Sequence, residues 1–446
     1  MTAIMVLTGL LGQVVAPPTR ASERPPNVVI FLTDDQGWGD LGCQGSRDIR
    51  SPRLDRLASE GVRFRNWYSA APICSPSRAA LLTGRSPQKA GVPGNISSRP
   101  GRPGMPAAQV TIAERLRPLG YATAALGKWH LGSTPGADPQ GQGFDRFFGF
   151  HSGCVDNYSH TFYWEEPPHF HDLWSDTREV HEEGTYLNDL ITREAVRFVE
   201  ENRSRPFLLY VAYNLPHYPM QAPERLVRDF PSLAPDRATY AAMVAAVDAS
   251  VGEVVDRVDH LGLANDTLVV FLSDHGASAE ARANGPVGDN GPFRGHKFSL
   301  FDGGLRVPCI VRWPGRIPAG QTRAQVACSF DLAPTVLRAA GGVPGPVEPS
   351  FEGVDLGPVL LTDAPALDRP LCWKSGPQEA IRDGRWKLVR NGRDDAGRPL
   401  PPADSVFLSD LDADPGESRN LAAARPDLVD RLARSLDRWL AEVARP

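Results

Sequence analysis

The chain has 446 residues, which at about 100–200 residues per domain indicates one large domain and a smaller one. Its 42 glycines and 42 prolines exceed the average, but the composition excludes collagen, a coiled coil, a low-complexity chain and a disordered chain. A net charge of −5 gives no basis for a nucleic-acid or anionic-membrane partner, and six cysteines are too few for a disulfide-rich scaffold.

The N-terminus carries an apolar run over residues 3–16, which is too short for a membrane span and typical of a signal-peptide core. Ala21 and Ser22 provide small residues for a cleavage region, although no Lys or Arg precedes the run. We therefore predict a signal peptide over residues 1–24 and an exported protein, whether periplasmic, secreted or lumenal. The alternative is an apolar N-terminal segment without a targeting role. No later apolar run is long enough to predict a membrane span.

Apolar runs alternate with helical patterns through the first three quarters of the chain. Helical spacing of three and four residues is clearest over residues 240–261. Such alternation predicts an α/β fold with a mostly parallel central sheet flanked by helices, in which ligands bind beyond the carboxyl ends of the strands. The predicted strands are Asn27–Thr33, 122–126, 207–213, Thr267–Ser273 and 309–313, and the shorter predicted helices are 54–58, 112–119 and 190–199.

A second region follows a Pro/Gly-rich stretch at residues 341–349. It contains short strand-like pieces at 371–373, 379–382, 386–389 and 406–408, and it ends in an amphipathic helix at 428–443. This pattern predicts a smaller C-terminal antiparallel sheet with one helix. The predicted organisation is therefore a signal peptide (1–24), a large α/β domain (25–344) and a C-terminal subdomain (345–446).

Two of the predicted strands end in pairs of potential metal ligands. The strand Asn27–Thr33 runs into Asp34 and Asp35, and Thr267–Ser273 runs into Asp274 and His275. Carboxylates crowded at one sheet edge repel one another unless a cation neutralises them, and oxygen-rich sites suit Ca²⁺ or Mg²⁺. The alternative is that these acidic residues only cap loops and helix starts.

Residues 72–78 (PICSPSR) precede a helix-forming AALL run. Pro76 is tolerated in a first helical turn, so Cys74 should lie just ahead of the helix, where the dipole and free N–H groups stabilise an anion. Arg78 lies one turn further on and should face back toward it. A small buried cysteine near a helix end is the alternative for Cys74.

This segment resembles the sulfatase signature C-x-P-S-R-x-x-x-L-T-G-R and matches all eight of its fixed positions. These are Cys74, Pro76, Ser77, Arg78, Leu82, Thr83, Gly84 and Arg85. Further blocks similar to the family lie at residues 27–42, 127–132, 216–217, 273–276 and 303–308. The pattern is most similar to the arylsulfatase and N-acetylgalactosamine-6-sulfatase branch of the type I sulfatases, within the alkaline-phosphatase-like superfamily.

The resemblance implies that a formylglycine-generating enzyme converts Cys74 to formylglycine, since the maturation motif C-x-P-x-R is present. The aldehyde hydrates to a diol; one oxygen attacks sulfur, the alcohol leaves, and the second hydroxyl helps to expel sulfate. The resemblance also implies one Ca²⁺ ion, with Mg²⁺ as the second choice. Its ligands would be Asp34, Asp35, Asp274, His275 and the modified residue 74. The family most often has Asn where this chain has His275.

Four further residues acquire roles through the resemblance. Lys128 and Lys297 would clamp sulfate oxygens, His130 would deprotonate the diol during release, and His217 would protonate or stabilise the leaving oxygen. Considered singly, the lysines could be solvated surface residues and His217 a packed loop residue. Asp302, which replaces the usual Glu before a glycine pair, receives no role. Residues 149–164 are rich in His, Asn and aromatics, which suits either a sugar-binding loop or a packed one.

The favoured interpretation is hydrolysis of sulfate monoesters, on sulfated glycans or aryl sulfates, with a sulfated sugar as the expected substrate. One alternative is a phosphonate monoester or phosphodiester hydrolase of the same superfamily. The other is a catalytically silent glycan-binding relative.

Overall fold

The structure is a computed structural model that describes residues 24–164, 167–343, 350–362 and 364–444. The predicted signal peptide lies outside these residues apart from Arg24. The predicted domain boundary between residues 344 and 345 also lies outside them.

The strands build a large sheet, a C-terminal sheet and a short two-stranded ribbon. In chain order they are β1 Asn27–Thr33, β2 Val62–Tyr68, β3 Ala122–Lys128, β4 Arg146–Phe150, β5 Thr161–Phe162, β6 Phe170–His171, β7 Trp174–Ser175, β8 Arg178–Glu179, β9 Phe207–Ala212, β10 Thr267–Ser273, β11 Cys309–Arg312, β12 Gln321–Cys328, β13 Leu371–Ser375, β14 Gln378–Asp383, β15 Trp386–Arg390 and β16 Val406–Asp410.

The α-helices lie mainly between these strands. They are α1 Pro52–Ser59, α2 Cys74–Thr83, α3 Ile112–Leu116, α4 Leu187–Glu201, α5 Glu224–Val227, α6 Pro235–His260, α7 Asp302–Leu305, α8 Leu332–Ala339, α9 Gly357–Leu361 and α10 Pro426–Val443. The helix predicted over 112–119 stops early: α3 ends at Leu116 and a 3₁₀ turn containing Pro118 follows.

The large sheet has the order β12-β2-β11-β10-β1-β9-β3-β4-β7-β8. Its centre, from β10 to β4, is parallel. Strand β11 runs antiparallel to both of its neighbours, β10 and β2, and the β7–β8 hairpin is antiparallel at the far edge. The α/β prediction is confirmed, whereas β2, β4, β7, β8 and β12 were not predicted.

Helices cover both faces of the sheet, which explains the continuous apolar run of β1. Val29 and Phe31 pack with α1, α4 and α6, whereas Val28, Ile30 and Leu32 face α2, α3 and α8. In the described part of the chain, α6 is the one helix long and apolar enough to cross a membrane, and most of it is buried in the core.

The C-terminal sheet, β13-β14-β15-β16, is antiparallel and lies between α10 and the large sheet's domain. One face packs Ile381, Leu388 and Leu408 against α10. The other face packs Trp373 and Phe407, among others, against the region around α7. This confirms the predicted antiparallel sheet with one helix.

Candidate active site

The two predicted ligand pairs lie side by side because their strands are neighbours in register. Thr33 of β1 pairs with Ser273 of β10, and the Asp274 amide donates to the Thr33 carbonyl at 3.0 Å. Asp34 and Asp274 therefore leave the sheet at the same level. Asp35 adopts a left-handed backbone conformation with φ 62°, which Asp tolerates better than most residues.

Cys74 is the first residue of α2, and Ile73 before it is extended; the prediction of a cysteine just ahead of the helix was one residue off. The thiol is 2% exposed. Its Sγ lies 3.4 Å from Nε2 of His275 and 3.7 Å from Oδ1 of Asp34. The thiol thus stands at a helix N-terminus, over the ends of β1 and β10.

These groups form a set of donors that fits a divalent cation. Ligand atoms of Asp34, Asp35, Cys74 and His275 all lie within 4.8 Å of one another. Oδ1 of Asp274 is 3.5 Å from Nε2 of His275. The Nδ1 of His275 donates to the Gly276 carbonyl at 3.0 Å, so Nε2 faces the carboxylates. Burial lowers the pKa of His275, but Asp274 and the other anions raise it to about 9, and a bound metal would take the place of the Nε2 proton. Oxygen-rich, buried and anionic, the set matches what hard cations require.

Each carboxylate is also matched by one buried cation. Lys128 Nζ lies 2.5 Å from Asp34 Oδ2, and Lys297 Nζ lies 2.8 Å from Asp35 Oδ1. The third pair joins Arg78 to Asp274, with Nη2 2.9 Å from Oδ2. Arg78 therefore turns toward Asp274 and the Lys128 carbonyl, rather than only back to Cys74 as predicted.

Burial and these cations act in opposite directions on the carboxyl groups. Burial raises the pKa of Asp34, but Lys128 together with Arg78 and other neighbours outweighs it, and the pKa falls to about 2. For Asp35 burial prevails over Lys297 and raises the pKa to about 7, and burial raises that of Asp274 to about 6. A bound cation would favour the ionised form of all three.

The same cations favour an anion at position 74. Burial alone raises the pKa of the Cys74 thiol, but Lys128, Lys297 and His275 together hold it well below its usual value. The surroundings of residue 74 are therefore electropositive despite the neighbouring carboxylates.

Two further histidines face this cluster in complementary tautomers. His130 donates from Nε2 to the Ile96 carbonyl at 3.2 Å, and its buried Nδ1 makes no hydrogen bond to any described residue. His217 donates from Nδ1 to the Tyr218 carbonyl at 2.7 Å, and its Nε2 lies 3.8 Å from Asp35 Oδ2. Burial lowers the pKa of both imidazoles, so both are neutral near pH 7.

Comparison with known proteins identifies the family. A sequence model described as "Sulfatase" matches residues 26–343, which is more than half of the chain. The chain belongs to the sulfatase family. It is a type I sulfatase of the alkaline-phosphatase-like superfamily and hydrolyses sulfate esters. The family implies a metal ion and a formylglycine derived from cysteine.

Individual relatives agree with this assignment. Mouse N-acetylgalactosamine-6-sulfatase is 37% identical over 395 residues, which cover 84% of this chain and 72% of that protein. Human arylsulfatase A is 33% identical and covers 92% of this chain and 87% of its own length. The crystal structure of Ps i-CgsB in complex with k-i-k-neocarrahexaose has a TM-score of 0.84 at 32% identity, covering 93% of each chain.

The sulfatase also has a cluster of aromatic and cationic groups beside His217 that the sequence did not single out. The Tyr218 ring centroid lies 3.8 Å from that of His217. The guanidinium carbon of Arg282 lies 4.7 Å from the Tyr218 centroid and 4.2 Å from that of Trp164. Trp164 is 40% exposed. The available signals were an aromatic residue next to a candidate histidine and an aromatic-rich loop ending at Trp164.

Asp302, which received no role from the sequence, links the large sheet of the sulfatase to its C-terminal sheet. It is fully buried and accepts hydrogen bonds from the Tyr68 hydroxyl of β2 at 2.7 Å and from Lys387 Nζ of β15 at 2.6 Å. Burial opposes ionisation, but Lys387 and two arginines lower the pKa of Asp302 to about 2. Asp302 is therefore an ionised anchor for the C-terminal sheet.

Proposed function

We propose that the chain hydrolyses sulfate monoesters of sugars with a formylglycine hydrate at position 74 as the nucleophile. One observation carries the proposal: residue 74 stands at a helix N-terminus among three carboxylates and three buried cations. The free N–H groups of that helix end and the lysines favour an oxyanion at this position. The hydrate would supply the hydroxyl that attacks sulfur.

Asp34, Asp35, Asp274, His275 and an oxygen of residue 74 would hold one divalent cation. Three carboxylates favour Ca²⁺, which accepts irregular oxygen-rich coordination, over the stricter octahedral Mg²⁺. When bound, the ion would polarise a sulfate oxygen and offset the crowded negative charge. Metal analysis of the purified protein, with recovery of activity after chelation, distinguishes the two ions: Ca²⁺ should restore more activity than Mg²⁺.

Lys128 and Lys297 would hold the sulfate group. Each ammonium is buried and is close to a carboxylate that would bind the cation, so each can share its remaining N–H groups with an anionic substrate oxygen. Removing one such aimed donor typically costs about a hundred- to a thousandfold in rate. Arg78 would fix Asp274 and the backbone of Lys128 in place.

The tautomers of the two histidines support different roles. His130 has an unprotonated, unbonded Nδ1 that can accept a proton from residue 74 during release of sulfate. His217 has Nε2 free of a proton, so it must first become charged before it can protonate the leaving oxygen. The negative charge of a bound sulfate ester favours this change, since nearby anions raise the pKa of a histidine.

A sulfated sugar is the proposed substrate. The relatives include an N-acetylgalactosamine-6-sulfatase and a protein solved in complex with a neocarrahexaose. Trp164, exposed beside Tyr218, offers a flat apolar surface of the kind that sugar rings contact.

The proposal extends to maturation, export and domain roles. A formylglycine-generating enzyme would act on Cys74 during passage into an exported compartment. Residues 25–344 would carry the chemistry, and residues 345–446 would support it. The contacts of Gln378 on β14 support this division. Its side chain donates to the Phe298 carbonyl at 2.7 Å and accepts from the Leu300 amide, so the C-terminal sheet holds the segment next to Lys297.

Mass spectrometry of the tryptic peptide spanning residues 66–78 tests the nucleophile. Protein from its native host should carry an aldehyde at position 74, and Cys74→Ala should lose activity by about 10⁴-fold or more while remaining folded. Fully active enzyme with an unmodified thiol would refute the proposal. Rates on matched sulfate and phosphate esters test the alternative, since a strong preference for phosphodiesters would favour the phosphoesterase interpretation.

A further inference from the structure

A second group of metal-ligating side chains lies outside the catalytic cluster. His171 ends β6, while His181 and Glu183 follow β8 and precede α4. Oε1 of Glu183 lies 2.9 Å from Nδ1 of His181 and 3.7 Å from Nε2 of His171. The three ligand atoms all lie within 4.8 Å of one another.

These separations suit a tetrahedral ion. Ligand atoms at about 2.0–2.1 Å from a tetrahedral Zn²⁺ are about 3.3 Å apart from one another. The two distances from Glu183 lie on either side of that value, so shifts of a few tenths of an ångström would bring both nitrogens to bonding distance. Two imidazoles and one carboxylate leave the fourth position to solvent.

The orientation of His171 is a second, independent indication. Its Nδ1 donates to Oε1 of Glu179 at 2.9 Å, so Nε2 carries the lone pair, and this buried atom makes no hydrogen bond to any described residue. A carboxylate that holds the far nitrogen of a histidine is a recurrent companion of metal-binding imidazoles. The rings of His171 and His181 are stacked, with centroids 4.4 Å apart, which keeps the two side chains on one side of the segment.

We propose that His171, His181 and Glu183 bind a divalent transition metal of the Zn²⁺ class. Imidazole nitrogen with a single carboxylate favours such borderline ions over Ca²⁺. The metal takes the place of the proton that His181 now donates from Nδ1 to Glu183, and the imidazole then carries its proton on Nε2 and stays neutral. The ion ties the end of β6 to the segment that leads into α4. Strand β6 and the β7–β8 hairpin line a cavity of about 510 Å³ that includes Trp174 and Asp172.

Calorimetric titration of the full, untagged protein with Zn²⁺ in excess Ca²⁺ tests this site. Wild type should bind one Zn²⁺ ion per chain beyond any held by the catalytic cluster, seen in the stoichiometry of the titration. The same titration with Co²⁺ should produce the strong visible absorption of four-coordinate cobalt. His181→Ala and Glu183→Gln should each weaken binding at least tenfold.

Two matched variants serve as controls. Glu182→Gln changes the neighbouring carboxylate, which pairs with Arg193, and His260→Ala removes an exposed histidine at the end of α6. Both should bind Zn²⁺ as wild type does. Any metal held by the catalytic cluster is common to all these proteins, because none of the variants alters that cluster. Absence of Zn²⁺ uptake by wild type, or equal uptake by His181→Ala and Glu183→Gln, would overturn the proposal.

Discussion

Two nitrogens of Arg78 donate hydrogen bonds to one carboxylate oxygen of Asp274, and the other oxygen faces His275. Nε and Nη2 of Arg78 lie 3.2 and 2.9 Å from Oδ2, while Oδ1 lies 3.5 Å from Nε2 of His275. Both side chains are completely excluded from solvent. A single arginine thus neutralises one candidate ligand and fixes its orientation at the same time.

Arg78→Ala should destabilise the protein by about 3–5 kcal/mol, because it leaves the buried charge of Asp274 without its partner. Arg78→Lys should lose less stability than Arg78→Ala, because the positive charge remains and only the two-nitrogen contact is lost. Urea denaturation of the unmodified proteins measures both effects without relying on activity, which also depends on maturation of Cys74. An Arg78→Ala free energy of unfolding within 1 kcal/mol of wild type would contradict this prediction.

Gly153→Ala should impair catalysis by displacing His130. A Cβ at position 153 would lie 2.7 Å from Cε1 and 2.8 Å from Nε2 of His130, and Nε2 also donates to the Ile96 carbonyl. The ring must therefore move, and a misplacement of about 1 Å can cost about a hundredfold in rate. We expect kcat to fall about 10- to 100-fold with the fold retained. Gly94→Ala is the control, because a Cβ there meets nothing within 4 Å; equal kcat in the two variants would argue against the role of His130.

Asp248 should make stability depend on pH. Its buried carboxyl on α6 accepts the backbone N–H groups of Leu54 and Arg53 at the start of α1. Burial outweighs these bonds and raises the pKa to about 6 from 3.8. Between these values the folded state binds more protons than the unfolded state, so this group's contribution to stability falls as pH rises from about 4 to 6.

Asp248→Asn removes that titration. Relative to wild type, the variant should gain about 2 kcal/mol as pH rises from 4 to 7, whatever the constant cost of the altered hydrogen bonds. Urea denaturation across this range measures the gain. The exposed Asp229→Asn serves as the control and should show no such trend with pH. If the free energies of unfolding of Asp248→Asn and wild type differed by the same amount at every pH, the raised pKa of Asp248 would be excluded.

The centre of the fold was predictable because the strongest sequence signal and the site coincide. Strands β1 and β10 are buried on both faces, so their sequences are continuous apolar runs, and the ligand pairs follow directly after the runs. Parallel neighbours in register then bring those pairs together. Strand β2 was missed because only part of it is buried and its arginines alternate with apolar residues, which hides it from a search for apolar runs.

The part of the site that depends on loops could not be predicted in the same way. No spacing rule relates Gly153 to His130 or Arg282 to Trp164, since these contacts arise where separate loops meet. The tautomers of His130 and His217 also depend on carbonyl groups, Ile96 and Tyr218, whose positions the side-chain pattern does not encode. Sequence motifs named the candidate reactive groups, and the tertiary structure determines the proton positions of these groups.

Trp164→Ala should discriminate between sugar and non-sugar substrates. Trp164 lies beyond Arg282 and Tyr218, so it is separated from His217 by one aromatic side chain and one guanidinium. A sugar leaving group that extends from the sulfate past His217 would reach the exposed indole, whereas a small aryl sulfate would not. We expect kcat/KM on a sulfated oligosaccharide to fall about tenfold, equivalent to about 1.4 kcal/mol, and that on a small aryl sulfate to remain unchanged.

Trp164→Phe keeps a flat ring, so it should retain most of the kcat/KM on the sulfated oligosaccharide that Trp164→Ala loses. Leu119→Ala, at another exposed apolar side chain, should affect neither substrate. If Trp164→Ala lowered both rates equally, the indole would support the position of Arg282 and Tyr218 and would not contact the sugar. The ratio of the two kcat/KM values is therefore the decisive measurement, because a general loss of active-site order cancels in it and a lost sugar contact does not.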